Sequence, residues 1–192
     1  MIDKNKLFIR FFNCHFTFLL FIALSSCSTI IGNVKPVDEK SDHYSIIDLS
    51  KESKDWKRLD SSDLGQKTAD QNETTDQGDI TYQSVKTSAV VSVNTACRDN
   101  QKISKSLETI SRQLLLGITD VTQNDQKEIK LSGVNALQTT IQGQISGEKT
   151  KIRAVVLTHQ GCVYDLMYVS KPDRFAVHEA DFARFISSLQ LH

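Results

Sequence analysis

The sequence predicts an α+β fold, in which a mostly antiparallel sheet carries two packing helices. Apolar and polar side chains alternate with a period of two over residues 79–94 and over much of residues 135–170, as in β-strands. Two other stretches repeat apolar residues at helical spacing. The order of these segments is strands, one helix, a meander of strands and a closing helix. That order is typical of α+β domains.

The first strands lead to Cys97. Trp56, the only tryptophan, stands near Leu59 and is expected to begin the folded domain as an edge strand. Residues 61–78 are rich in turn formers and poor in apolar side chains, which predicts an exposed loop. Two strands follow, with one set of alternating positions at Ile80, Tyr82, Ser84, Ala89, Val91 and Val93.

Helical spacing marks one helix in the middle of the chain and one at its end. The apolar stripes are Ile103, Leu107, Ile110 and Leu114 in the first, and Phe182, Phe185, Ile186 and Leu189 in the second. Asp99 or Asn100 is the expected N-cap of the first helix, and Gly117 its expected C′ residue. Between the helices, an antiparallel meander is predicted over residues 128–131, 135–145, 151–159 and 162–170, with Pro172 ending the last strand.

The N-terminal residues have the pattern of a secretory signal. Basic residues precede the apolar run 16–24 (FTFLLFIAL), and two serines supply small side chains before Cys27. The motif Leu24-Ser25-Ser26-Cys27 resembles the lipobox of bacterial lipoproteins, which implies cleavage after Ser26 and acylation of Cys27. The alternative is a retained transmembrane anchor. A span needs about 20 predominantly apolar residues, and polar side chains interrupt this window on both sides of the run.

The lipobox resemblance also implies a place in the cell. A triacylated cysteine is held stably in its leaflet, because each buried CH₂ contributes about 0.8 kcal/mol and one chain alone is marginal. Asp after the cysteine is the main signal for retention at the inner membrane, so Ser28 implies the outer membrane, on its periplasmic face. The expected organisation is a signal peptide at 1–26, the acylated cysteine and a flexible linker at 27–53, and an α+β domain at 54–192.

Charge argues against nucleic acid as a partner. The chain has 23 basic and 23 acidic residues; the signal removes three basic residues and one acidic residue, leaving 20 and 22. A nearly neutral mature chain has neither the basic excess of nucleic-acid-binding proteins nor a polybasic membrane patch. Membrane attachment is therefore expected through lipid alone.

The cysteines indicate an oxidising compartment. Cys14 leaves with the signal and Cys27 is committed to lipid, so Cys97 and Cys162 remain as one possible pair. A disulfide between them would close a loop of about 65 residues and stabilise the fold by on the order of 4 kcal/mol. The alternative is two separately buried thiols.

The order of elements resembles the PsbP-type extrinsic proteins of photosystem II and their bacterial relatives. The resemblance covers residues 54–192 and depends on topology, on Trp56 near the start, on the segment 162–166 (CVYDL) and on the closing helix. Members of that fold are mostly non-catalytic accessory or assembly factors. The resemblance implies the same kind of role here.

No group of residues has the spacing of a catalytic, metal-binding or cofactor-binding site. Of the cluster His178-Glu179-Ala180-Asp181, only His178 and Asp181 have the separation that places two ligands on one helix face. Two ligands do not make a metal site, so this cluster is expected to be a solvated helix start. His159 lies near Cys162 and suggests thiol chemistry, but that cysteine is better placed in the disulfide. His43 falls in the linker, with no specific role expected.

Asp165 is the polar residue that stands out in the last strand. It shares a strand face with Val163, Met167 and Val169, so the carboxylate is either exposed or buried with a partner. Arg98 is the expected partner, since the disulfide would bring it near the start of the same strand.

The sequence therefore predicts an outer-membrane lipoprotein that acts without catalysis, binding or assembling an unknown envelope protein. We expect no cofactor. Two other classes stay open. One is a small envelope hydrolase or metal-dependent enzyme using His159, His178 or Asp181, and the other is a carrier of apolar ligands between helix and sheet.

Overall fold

A computed structural model describes residues 43–59, 80–97 and 103–192, all within one compact unit. The predicted signal at 1–26, the lipidation site Cys27 and the predicted loop at 61–78 lie outside the described residues. Within the described residues, no helix is both long and apolar enough to cross a membrane.

Among residues 43–59, 80–97 and 103–192, seven strands form one antiparallel sheet. In chain order they are β2 (Trp56–Leu59), β3 (Ile80–Ser84), β4 (Val90–Cys97), β5 (Thr119–Leu131), β6 (Val134–Ile145), β7 (Glu148–His159) and β8 (Cys162–Ser170). Their order across the sheet is β2-β3-β4-β8-β7-β6-β5. Two short strands, β1 (Tyr44–Ser45) and β9 (Gln190–Leu191), pair with each other apart from this sheet.

Within the part of the chain that the structure describes, three α-helices accompany the sheet: α1 (Leu49–Glu52), α2 (Leu107–Leu114) and α3 (Glu179–Ser187). A 3₁₀ helix (Pro172–Val177) leads into α3. Ser106 caps α2 by accepting a hydrogen bond from the backbone N–H of Thr109 at 3.3 Å. Gly117 follows α2 with φ at +93°, a conformation that glycine adopts without steric cost.

One face of the sheet, here called the α3 face, holds the larger core. The ring centroids of Tyr168 and Phe182 are 5.7 Å apart, and those of Tyr82 and Phe185 are 6.0 Å apart. The helix α3 therefore packs across the central strands. Other members of this core are Tyr44, Leu49, Trp56, Val91, Val93, Val155, Leu157, Tyr164, Leu166 and Leu189. Removal of this apolar surface from water is the main stabilising contribution to such a fold.

The opposite face, here called the α2 face, holds a smaller core. Its buried residues are Ile141, Ile152 and Ala154, with Leu114, Leu115, Ile118, Met167 and Val169 packed beside them. The two faces follow from strand register, because successive side chains of a strand point to opposite sides. The α+β class predicted from the sequence is confirmed.

Most of the predicted strands and helices lie where the sequence predicts them, but two begin at other residues. β2 is an edge strand, and β6, β7 and β8 form the expected meander. β5, however, begins at Thr119, well before residue 128. The sequence did not predict this first part of the strand, because its residues are mostly exposed and show no alternation of apolar and polar side chains. The helix α2 begins only at Leu107; Ile103 precedes it in irregular backbone, and the expected caps Asp99 and Asn100 lie outside the described residues.

The linker expected over 27–53 overlaps the folded unit. Tyr44 is 3% exposed and Leu49 is fully buried, and both belong to the core on the α3 face. Tyr44 pairs with Leu191, so the segment is fixed by the end of the chain. The prediction of a flexible linker is wrong for residues 43–53. Their structure depends on contacts with the C-terminal end of the chain, and such contacts give no periodic pattern in the local sequence.

Candidate functional site

A disulfide joins Cys97 to Cys162, which confirms the predicted pair. The two residues face each other across β4 and β8, so the strand register itself brings the sulfurs together. Cys162 is 2% exposed, and Cys97 is partly exposed at the end of its strand. A structural disulfide is typical of proteins outside the cytoplasm, and it indicates that this domain is extracytoplasmic.

His43, for which we expected no role, lies beside this disulfide. A ring nitrogen of His43 and the sulfurs of Cys97 and Cys162 are all within 4.8 Å of one another. The backbone carbonyl of His43 accepts hydrogen bonds from the His192 N–H at 3.0 Å and from the Tyr164 hydroxyl at 3.4 Å. The histidine is thus placed over the start of β8 by residues far from it in sequence.

His159 pairs in register with Cys162 on the other side, across β7 and β8. Its side chain therefore points to the same face as the two cysteines. The thiol chemistry considered for this pair requires a free sulfur, and in the structure Cys162 is bonded and buried.

His178 is buried, so the predicted solvated helix start is wrong for this residue. It is 3% exposed and lies against Trp56, with 4.8 Å between the ring centroids. Nδ1 lies 3.0 Å from Asp181 Oδ2, and Nε2 lies 3.5 Å from Asp55 Oδ2. The two carboxylates flank opposite nitrogens of one ring, an arrangement that suits ion pairing and does not gather ligands around one metal ion.

The carboxylates beside His178 also hold other elements. Asp181 accepts a hydrogen bond from Trp56 Nε1 at 3.2 Å and one from Arg184 at 2.7 Å. These donors and His178 lower the pKa of Asp181 although its partial burial acts in the opposite direction. Asp55 accepts bonds from the Ser84 hydroxyl at 3.2 Å and from the Lys86 N–H at 3.1 Å. The network fastens β2 and the β3–β4 turn to the start of α3.

Asp165 is partly buried on the α2 face, and its partner is Asn94. The Asn94 Nδ2 donates to Asp165 Oδ1 at 2.7 Å, and the two residues pair across β4 and β8. Desolvation raises the pKa of Asp165 to about 6, with the hydrogen bond from Asn94 acting against the rise. The expected partner Arg98 lies outside the described residues.

A groove of about 370 Å³ opens between α2 and the strands β5 and β6. Its lining consists of Glu108, Arg112, Leu115, Leu116, Gly117, Ile118, Asn124, Gln126, Thr139 and Ile141. Aliphatic side chains give it an apolar part, while the amides of β5 and the charged pair of α2 make its polar part. This volume and mixture are typical of sites that bind a small ligand or one side chain of a partner.

One hydroxyl fixes the two walls of this groove. Thr139 on β6 shares a 2.8 Å hydrogen bond with Ser111 of α2 and accepts another from Gln126 of β5 at 3.1 Å. Ser111 and Thr139 are buried, so these bonds are shielded from competing water. Leu116 stands at the groove with 68% of its surface exposed. The sequence did not reveal the groove, because one wall is the unpredicted first part of β5.

Glu108 and Arg112 lie one turn apart on α2 and give the groove both signs of charge. A hydrogen bond with Ser106 lowers the pKa of Glu108, so the carboxylate is ionised at neutral pH. The lining contains no histidine or cysteine. It offers one carboxylate, one guanidinium, two amides and one hydroxyl beside apolar side chains, a set that can recognise a ligand by contact and charge.

Comparison with known proteins finds similar solved structures but does not assign the chain to a family. No protein-family model and no curated protein matches the chain. The protein PA94 of Pseudomonas aeruginosa, of unknown function, matches with 16% identity and a TM-score of 0.46, over 74% of this chain and 92% of that one. PsbP of the cyanobacterium Synechocystis sp. matches with 11% identity and a TM-score of 0.49, over 85% and 100%.

A third similar structure is LpqN of Mycobacterium tuberculosis, which is involved in cell envelope biogenesis. It has 17% identity and a TM-score of 0.42, with 77% of this chain and 82% of that chain covered. A PsbP protein is thus among the matches. At these identities the matches concern the fold alone, and the site must be interpreted from its own residues.

Proposed function

We propose that this chain is a lipid-anchored protein of the outer membrane that binds an envelope protein at the groove between α2 and β5 and has no catalytic activity of its own. The groove is the observation that carries the proposal. It combines apolar side chains with amides and a charge pair, and it is open to solvent beside the exposed Leu116. Such a surface favours an apolar side chain of a partner flanked by polar groups.

Export and anchoring support the setting of this proposal. The signal pattern before Cys27 directs the chain out of the cytoplasm, and the disulfide between Cys97 and Cys162 suits an oxidising compartment. A lipid anchor confines the domain to a surface, where a weak groove interaction gains from the high local concentration of membrane partners.

The buried position of His178 argues against the alternative of a hydrolase or metal enzyme at that residue. A side chain that is 3% exposed and flanked by Asp55, Trp56 and Asp181 has no room to contact a substrate. The third class, a carrier of apolar ligands between helix and sheet, would use the same groove and is distinguished by the experiment below.

Site-specific photocrosslinking in intact cells tests the binding surface. A photoreactive side chain at Leu116 is expected to give one discrete protein adduct, whereas the same side chain at Val85, which is 66% exposed on the β3–β4 turn, should give none. Equal adducts at both positions, or no protein adduct at Leu116, would contradict the proposal. An adduct of lipid mass at Leu116 would identify a carrier instead.

The anchor is tested separately. Radiolabelled palmitate should enter the wild-type chain and not a Cys27→Ser variant, and the labelled protein should sediment with outer membranes. Because Cys27 precedes the folded residues, this substitution should leave the thermal stability of the domain unchanged. Label retained in the variant would show that the thiol of Cys27 is not the site of acylation.

A further inference from the structure

The three side chains of His43, Cys97 and Cys162 form a compact group that the proposed binding function does not use. Their ligand atoms, one imidazole nitrogen and two sulfurs, lie within 4.8 Å of one another. They come from three separate parts of the chain: the residue before β1, the end of β4 and the start of β8. We propose that, after reduction of the disulfide, these residues bind a zinc ion through two thiolates and one imidazole.

The distances suit such a site. Tetrahedral zinc with Zn–S bonds near 2.3 Å and Zn–N bonds near 2.0 Å keeps its ligand atoms about 3.5–3.8 Å apart. The histidine nitrogen must therefore approach the sulfurs by at most about 1.3 Å. The sulfurs must separate once their bond is broken, and Cys97 has room for this movement because it is partly exposed at a strand end.

The surrounding backbone preorganises all three residues. Cys97 and Cys162 are held opposite each other by the register of β4 and β8, which does not depend on the disulfide alone. His43 is fixed through its carbonyl by the His192 N–H and the Tyr164 hydroxyl. Tyr44, the next residue, adds an edge contact with Tyr164 at 6.0 Å between ring centroids. A preformed geometry lowers the cost of metal binding.

The chemistry of the ligands selects the cation. Two thiolates and an imidazole are soft and borderline ligands that favour Zn²⁺ or Cu⁺ over Mg²⁺ and Ca²⁺, which require oxygen. Two thiolates also balance the charge of Zn²⁺. With three protein ligands the fourth position is left to water, as in zinc sites that stay open.

The reduction step requires a reductant, which we assign to the class of dithiols. The disulfide of Cys97 and Cys162 takes up two electrons and two protons and becomes two thiols, while the dithiol is oxidised to its own disulfide. Zinc then displaces the two thiol protons and binds the thiolates. In the oxidised state the sulfurs are bonded to each other and the site is closed, so zinc binding is expected only after reduction.

Metal titration of the full chain in detergent tests the proposal. The chain carries Cys14→Ser and Cys27→Ser, so that Cys97 and Cys162 supply the only thiols. After anaerobic reduction it should bind one equivalent of Zn²⁺, and Co²⁺ in its place should give thiolate-to-cobalt charge-transfer absorption. The oxidised protein should bind neither ion at this site.

A histidine pair supplies the variant and its matched control. His43→Ala should weaken zinc binding at least about tenfold, since even changes beyond the ligands cost 10–100-fold, and it should shift the cobalt spectrum. His192→Ala, across from His43 at the same end of the β1–β9 pair, keeps the backbone N–H that bonds to the His43 carbonyl and should bind zinc as the parent chain does. Equal affinity in His43→Ala, or no binding by the reduced parent, would overturn the proposal.

Reduction could also unfold the domain, and circular dichroism covers this case. If the reduced chain loses its β signal and Zn²⁺ restores it, the metal substitutes for the disulfide as a structural link, which supports the site. If Zn²⁺ does not restore the signal, the proposal is wrong. Neither outcome affects the crosslinking result at Leu116, which lies in the turn after α2 and is scored with the disulfide intact.

Discussion

Asn94 donates a hydrogen bond to Asp165 across β4 and β8, with 2.7 Å between Nδ2 and Oδ1. This bond is the contact that stabilises the charged form of Asp165, and it offsets desolvation only in part, because the pKa is still raised to about 6. The native protein therefore holds a proton between about pH 4 and pH 6 that the unfolded chain has released. This carboxyl group makes the native state less stable as pH rises through that range.

Asp165→Asn should remove this pH dependence. The variant should gain about 3 kcal/mol relative to the wild type between pH 4 and pH 7, and the difference should be constant above pH 7. Urea unfolding at a series of pH values measures it. Glu128→Gln on the exposed strand β5 is the control, for which no such gain is expected. A difference between Asp165→Asn and the wild type that does not change with pH would show that the carboxyl is solvated.

Removal of the disulfide should lower stability strongly. Cys97 and Cys162 are 65 residues apart in sequence, and the chain-entropy model gives about 4 kcal/mol for a loop of that length. The Cys97→Ser, Cys162→Ser double variant should therefore unfold at lower urea concentration than the oxidised wild type. Added dithiol should destabilise the wild type and leave the double variant unchanged. A midpoint equal to that of the oxidised wild type would mean that the bond contributes nothing.

The sequence was informative where burial alternates along one segment and uninformative where contacts join distant segments. β8 could be predicted because Cys162, Tyr164, Leu166 and Tyr168 are buried at every second position. The disulfide could be predicted from the count of cysteines. The place of His43 could not, since it depends on Tyr44 pairing with Leu191 from the other end of the chain.

His178 shows the same limit at the helix start. Its spacing to Asp181 was visible, but its burial depends on contacts with Asp55 and Trp56, which lie just before and at the start of β2. Charged and polar residues near a helix N-terminus are usually solvated. Only the tertiary contact changes that expectation here.

His178→Ala should destabilise the domain by about 2–4 kcal/mol, because it leaves the buried Asp55 and the half-buried Asp181 without their shared partner. Thermal unfolding measures the loss. His159→Ala is the control, since that histidine is partly exposed at the end of β7 and should change stability by less than about 0.5 kcal/mol. A loss of stability in His178→Ala as small as that expected for His159→Ala would mean that the network around His178 contributes no stability.

Leu49→Ala tests whether residues 43–53 belong to the domain. Leu49 is fully buried in the core of the α3 face, and its helix α1 is capped by Asp48, which accepts a hydrogen bond from the Ser50 N–H at 3.0 Å. Truncation of a buried leucine costs about 2–5 kcal/mol through lost burial and the cavity left behind. A residue of a flexible linker would cost nothing.

The matched control for Leu49→Ala is Val85→Ala, at a side chain that is 66% exposed, where less than about 0.5 kcal/mol is expected. Chemical denaturation of both variants gives the comparison. A large loss at Leu49 alone would mean that the predicted linker ends before His43, with 15 residues between Cys27 and His43. No loss of stability in Leu49→Ala would instead mean that the predicted linker extends to residue 53.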